Sequence, residues 1–289
     1  MMASLFLSAL SAAGFLVLTR FWGMTEPPFN RAALAIPLGL GVFGVCSAIA
    51  LLAGGGFILS LALILTAFAG MMGLTIDRNP ESLGQALGQT ALFAVALGSV
   101  CLGAELLIQP VISYDSLVKL AYAWNLHDAS LRSESLQGLA SWGYLLISLQ
   151  ALAHVLESAR YLVGLHALII LATMLLVVWN VRMLASHLPG PDRMLLTLGI
   201  TGIWGSTYFV LFNAAYIHNA ALTAVFVLAM AGTLLRVFVQ QDGRGAVICL
   251  VVFGIALALS RTEAPLYAAA IITLAAIFLG RPPRSIAII

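Results

Sequence analysis

The chain has 289 residues, of which 62% are hydrophobic and 8% charged, with a formal net charge of +2. Soluble domains carry roughly 25% charged residues, so this composition excludes an ordinary soluble globular protein and, with so little polar content, a disordered one. Thirteen basic and eleven acidic residues give no basic field for nucleic acid.

A helix needs about 20 apolar residues to cross a bilayer. Taken in chain order, nine runs reach or approach that length: 2–18, 32–53, 57–76, 86–108, 161–181, 194–212, 217–235, 245–260 and 264–280. The first lacks a basic segment ahead of it, and Arg20 follows it, so it reads as a retained span rather than a cleaved signal. Glu26-Pro27-Pro28, Gly54-Gly55-Gly56, Asp77 to Glu81, Pro189 to Asp192 and Gln240 to Gly243 punctuate the runs. The expected fold is an all-α polytopic transmembrane bundle of about nine spans. A four-helix part covers 1–108, one long outer loop covers 109–160, and a five-helix part covers 161–289. Ser285 to Ile289 reads as the beginning of a further span.

Within the loop, 138–156 is uncharged and is the only ambiguous segment. Basic residues concentrate in cytoplasmic connections. If 138–156 does not span, nine basic residues (Arg20, Arg31, Arg78, Arg182, Arg193, Arg236, Arg244, Arg281 and Arg284) share one side and four (Lys119, Arg132, Arg160 and Arg261) the other. If it spans, the split weakens to eight against five. The stronger bias puts the N-terminus and 109–160 outside and the C-terminus inside. It makes 138–156 an apolar helix at the outer interface, with Trp142 and Tyr144 at headgroup depth.

Cys46, Cys101 and Cys249 stand in apolar runs without ligand spacing and read as small buried residues. No P-loop, GxGxxG or HExxH occurs. Polar groups are costly in so apolar a chain, and the topology gathers several at the outer face: Tyr114-Asp115-Ser116, His127-Asp128, Asn213 with Tyr216 to Asn219, and Arg261-Thr262-Glu263. Together they offer a general base, hydrogen-bond donors and a cation for phosphate. Each also has a plainer reading. Asp115 fits a helix N-cap, His127-Asp128 a solvated turn, and His218 an interfacial side chain. Arg261 and Glu263 can pair with each other, or Arg261 can reach to lipid phosphate. Glu105, near the outer end of the fourth run, must face protein or water. His154 and His166 read as structural, and His187, Arg182 and Arg193 as topology determinants.

The stretches Tyr114-Asp115-Ser116-Leu117 and Tyr122-Ala123-Trp124-Asn125-Leu126-His127-Asp128-Ala129-Ser130-Leu131 resemble the first outer loop of bacterial GT-C membrane glycosyltransferases. Phe212-Asn213-Ala214-Ala215-Tyr216-Ile217-His218-Asn219-Ala220-Ala221-Leu222 resembles their second outer turn, and the likeness extends over roughly 105–280. The resemblance implies transfer of a sugar from a polyprenyl-phosphate carrier to an acceptor at the outer face of the bacterial cytoplasmic membrane. It makes Asp115 the catalytic base. Arg261, by position, becomes the cation for the leaving phosphate, and Tyr114, His218, Asn219, Glu263 and Glu105 become substrate-binding candidates. Many members carry a second acid in the second turn, tied to metal or acceptor; here His218 and Asn219 stand there, which leaves a divalent metal with Glu263 as its only nearby acid. The competing readings are a transporter or flippase-like protein, pointed to by Glu105 and the small residues Gly39, Gly41, Gly44 and Ser47, and a structural subunit without chemistry.

Overall fold

A computed structural model describes residues 2–23, 26–53, 63–67, 80–108, 121, 144–155, 160–207, 219–240, 244–261 and 263–279. These residues are almost entirely helical, without a strand. The helices are α1 (Met2–Trp22), α2 (Pro28–Leu52), α3 (Pro80–Leu107), α4 (Tyr144–Val155), α5 (Arg160–Leu184), α6 (Gly190–Ser206), α7 (Asn219–Gln240), α8 (Arg244–Ser260) and α9 (Ala264–Leu279). Five of them (α1, α2, α3, α5 and α7) hold stretches long and apolar enough to cross a membrane, while α8 and α9 are shorter apolar helices. Of the third run, 57–76, only the helical residues 63–67 are described.

Several helices outrun the apolar stretches that announce them. Arg20 lies in the last turn of α1, Arg31 in the first turns of α2, and Arg182 in the last turn of α5. Backbone hydrogen bonding does not stop where hydropathy does, and long cationic side chains reach out from a helix end. At α1 the stop is Gly23, whose φ of 75° ends the helix while its N–H still bonds the Thr19 carbonyl. By contrast α6 ends sooner than its run to 212, because Thr207 turns to extended backbone (φ −66°, ψ 145°).

One buried apolar cluster, from Leu7 to Ala264, draws on α1, α2, α3, α4, α5, α7 and α8 and on the start of α9. Glycines set the closest approaches in it. A Cβ on Gly39 would strike the Leu10 carbonyl of α1, and one on Gly14 the Ala35 carbonyl of α2, so these two backbones touch. Gly41 makes room for Val252 of α8, and Gly44 for Leu145 of α4. Buried hydroxyls satisfy themselves locally: Ser11, Thr19, Thr173 and Thr233 each donate to the carbonyl four residues back. On the outside, α3, α6 and α9 present exposed Leu92, Leu106, Leu195, Ile203 and Ile277. In water this would be an aggregating surface; it is compatible with a bilayer.

Helix directions follow from side-chain contacts. Arg31 of α2 donates to Thr19 of α1 (2.9 Å) and to Gln89 of α3 (2.7 Å). Arg236 near the end of α7 meets Glu26, and Arg182 at the end of α5 covers the Phe29 ring. Gly245 at the start of α8 abuts Phe21. Among the described residues, Arg20, Arg31, Arg182, Arg193, Arg236 and Arg244 thus stand at one end of the bundle, the arginine end, and Arg160 and Arg261 at the far end. That division is the one the charge count anticipates.

The connection 109–159 begins and ends at the far end. Glu105, two residues from the end of α3, lies against Gly164, in the first turns of α5. A crossing by 138–156 alone would have put these helix ends apart. The described helix there, α4, covers Tyr144–Val155. Its placement differs from the expectation of an interfacial helix. Residues 145–151 are all buried, and α4 packs against α2, α5 and α8. A helix lying on a membrane surface leaves one face exposed; α4 leaves none over those seven residues. Trp142 lies outside the described residues.

Candidate functional site

At the far end, α7 and α9 run side by side with a groove of about 440 Å³ between them. On α7 it is lined by Ala220, Thr223, Ala224 and Val227, and on α9 by Tyr267, Ala270, Ile271 and Leu274. Both sets follow i, i+3, i+4, i+7 spacing, which is one helix face over two turns. Alanines leave the space that larger side chains would fill. Two turns are about 10 Å of apolar trough.

Arg261 also lines this groove, in the short connection between α8 and α9. Its Nε stands 3.2 Å from Glu263 Oε2, with the arginine side chain 34% exposed and the glutamate 51%. The pairing anticipated from the sequence is therefore present, in a half-exposed setting where it is weak enough to be shared with an incoming anion. Beneath it, Ser260 donates to the Leu257 carbonyl (2.7 Å), which leaves Thr223 to donate to the Ser260 oxygen (3.1 Å). This buried hydroxyl pair ties α7 to α8 and fixes the groove floor beside Arg261. The result is a trough with a cation and a phenol at its polar end and hydrocarbon below. Such a shape suits a long-chain lipid with an anionic headgroup.

Of the other candidates, Asn219 is the first residue of α7, next to Ala220 in the chain. Glu105 is at the far end as well, but on the other flank. It is buried at 5% exposure between α3 and α5, with its Oε1 filling the space a Gly164 side chain would take. Because α3 packs on α1 and α5 whereas α9 packs on α7 and α8, Glu105 and Arg261 do not share the groove. Tyr161, fully buried, lies within electrostatic reach of Cys101, one turn below Glu105, and its hydroxyl has no partner among the described residues. Asp115, Tyr114 and His218 lie outside the described residues, and so does His127-Asp128. Among the described residues no cluster of three or more His, Cys, Asp or Glu side chains is arranged to hold a metal.

Sequence reasoning passed over Thr223, Ser260 and Tyr267. Their signal was available in part: Ala220, Thr223, Ala224 and Val227 repeat at helical spacing with small residues. Which partner helix that face meets is a tertiary fact.

Among known proteins, no family model, curated protein or solved structure matches this chain.

Proposed function

We propose that this chain is a polytopic membrane glycosyltransferase of the GT-C kind, moving a sugar from a polyprenyl-phosphate carrier to a glycan, lipid or protein acceptor. In this reading the bundle has nine spans with the arginine end in the cytoplasm, and the far end carries the reaction. The observation that carries the proposal is the groove between α7 and α9, an apolar trough headed by Arg261 and Tyr267. The prenyl chain lies in the trough and the phosphate meets the guanidinium. The acceptor hydroxyl oxygen bonds to the anomeric carbon as the bond from that carbon to the phosphate oxygen breaks. Asp115 takes the hydroxyl proton, and the polyprenyl phosphate leaves with the electron pair, its charge stabilised by Arg261. A flippase-like lipid carrier is the second reading, favoured by the buried Glu105 inside a span-length helix.

Binding of a polyprenyl phosphate to the purified full chain in neutral detergent tests the proposal. Arg261→Gln is expected to weaken it about tenfold, the equivalent of about 1.4 kcal/mol, and Ala224→Phe to block it by filling the trough. Asp115→Asn is expected to retain binding but lose transfer of labelled sugar. Parent-like binding by both Arg261→Gln and Ala224→Phe refutes the site. Full transfer by Asp115→Asn refutes Asp115 as the base, whereas binding without any transfer by the parent favours the carrier reading.

A further inference from the structure

A second cleft lies at the arginine end, between α5 and α6, with a volume of about 310 Å³. Two arginines line it, Arg182 from the last turn of α5 and Arg193 from the first turn of α6. Val178, Met194, Thr197 and Leu198 form the rest of its wall. Neither arginine has a carboxylate within ion-pair distance among the described residues. Asp192, although adjacent in sequence, does not line the cleft. Arg182 is steadied instead by the Phe29 ring, 5.3 Å from its guanidinium carbon. The Thr197 hydroxyl donates to the Arg193 carbonyl (2.7 Å) and holds that turn. Gly190, the first residue of α6, also borders the cleft, so the positive end of a 17-residue helix adds to the field.

Two like charges facing one cavity repel each other unless an anion lies between them. The cavity is not polar throughout. Met194 and Leu198 are largely exposed on the outer side of α6, and they continue the cleft into the apolar surface. Two cations above an apolar wall match a phosphate diester carried on hydrocarbon.

We infer that the α5–α6 cleft is a binding site for a phosphate ester, held by Arg182 and Arg193 and distinct from the α7–α9 groove. An anionic phospholipid headgroup and a soluble phosphate ester share this chemistry. The apolar continuation along Met194 and Leu198 favours the lipid. Arg182 and Arg193 thereby do more than bias insertion: they select which lipid sits against α6, a helix whose main packing partner is α5.

The test is retention of radiolabelled phosphatidylglycerol by the purified full chain in neutral detergent, with unlabelled phosphatidylglycerol, phosphatidylcholine or glycerol phosphate as competitor. Arg182→Gln/Arg193→Gln is expected to lower retention about tenfold, and Arg182→Lys/Arg193→Lys to keep most of it. Arg20→Gln, which removes a charge from the same end, is expected to leave retention unchanged, and because none of these variants touches the α7–α9 groove, failure here is separable from failure of the transferase reading. Competition by phosphatidylglycerol alone identifies a lipid site; equal competition by glycerol phosphate identifies a soluble phosphate ester in the same cleft. The inference is overturned if the double glutamine variant retains the lipid like the parent, if Arg20→Gln loses as much, or if phosphatidylcholine competes equally well.

Discussion

Glu26 and Arg236 are 210 residues apart in sequence and form an ion pair that joins the start of α2 to the end of α7. Arg236 Nη1 and Nη2 donate to the two Glu26 carboxylate oxygens at 2.7 and 3.1 Å. The side chains are 8% and 15% exposed. The guanidinium also lies 3.8 Å above the Trp22 ring, and Asn30 donates to Glu26 at 2.6 Å. Arg236→Ala removes both hydrogen bonds and the ring contact and leaves a largely buried carboxylate with Asn30 alone, at an expected cost of about 3 kcal/mol. Glu26→Gln keeps the shape and an oxygen acceptor, and costs about 1–2 kcal/mol. The double variant is expected to cost less than the sum by at least about 1 kcal/mol. Reversible unfolding in mixed micelles with increasing denaturing detergent measures all three. The pair also has a pH signature. Burial alone pushes the Glu26 carboxyl up, but the hydrogen bonds from Arg236 and Asn30 and the charges of Arg236 and Arg31 outweigh it and hold the group below its ordinary 4.5. A carboxyl depressed by folding stabilises fully above its unfolded value, and that contribution disappears as pH falls through the folded value. Parent stability should therefore drop more steeply below pH 4.5 than that of Glu26→Gln. An Arg236→Ala cost under about 1 kcal/mol, strict additivity, or identical acid limbs would refute the reasoning.

Two further substitutions probe the close approaches. Gly39→Val is expected to destabilise by about 3 kcal/mol in the same assay, the upper range of overpacking, because the obstacle is the Leu10 backbone rather than a side chain that can turn away; a cost below about 1 kcal/mol would mean the α1–α2 contact is looser. Gly164→Ala places a methyl 2.7 Å from Glu105 Oε1 and is expected to cost about 1–3 kcal/mol, with most of the loss relieved when Glu105→Ala is added; equal costs in both backgrounds would show that the carboxylate does not fill that space.

The helical skeleton was legible because apolar run length directly reflects membrane thickness. The runs 245–260 and 264–280 return almost unchanged as α8 and α9. Charge counting was informative for a related reason: Arg31, Arg182, Arg193 and Arg236 meet at one end because helices of similar length alternate in direction. What those arginines do there was not legible. Glu26 read only as punctuation before two prolines, and nothing local connects it to Arg236. The site was half legible on the same grounds. Arg261 and Glu263 are close in sequence, and their pairing could be anticipated. The trough beneath them needs α7 and α9 to be neighbours, and no periodicity states that.

The segment 138–156 shows where composition runs out. An uncharged helix satisfies three environments equally: a span, an interface, or the protein core. The ends of the connection speak against a lone crossing, since α3 ends and α5 begins at the same end of the bundle. Deciding between the other two requires what stands opposite each face. Gly44 of α2 leaves a hollow that Leu145 fills. Since Leu145 to Ala151 are then buried on every side, α4 joins the core instead of lying above it. Both halves of that contact were visible in the sequence, Gly44 as one of several small residues and Leu145 as one of many leucines. Their pairing was not, because shape complementarity belongs to two surfaces at once, whereas hydropathy is a property of one. A polar substitution can separate the two environments: Leu145→Asn is tolerable on a membrane surface but costs an unsatisfied amide in a core. It should therefore destabilise the bundle by about 2–5 kcal/mol, and a cost near zero would return α4 to the surface.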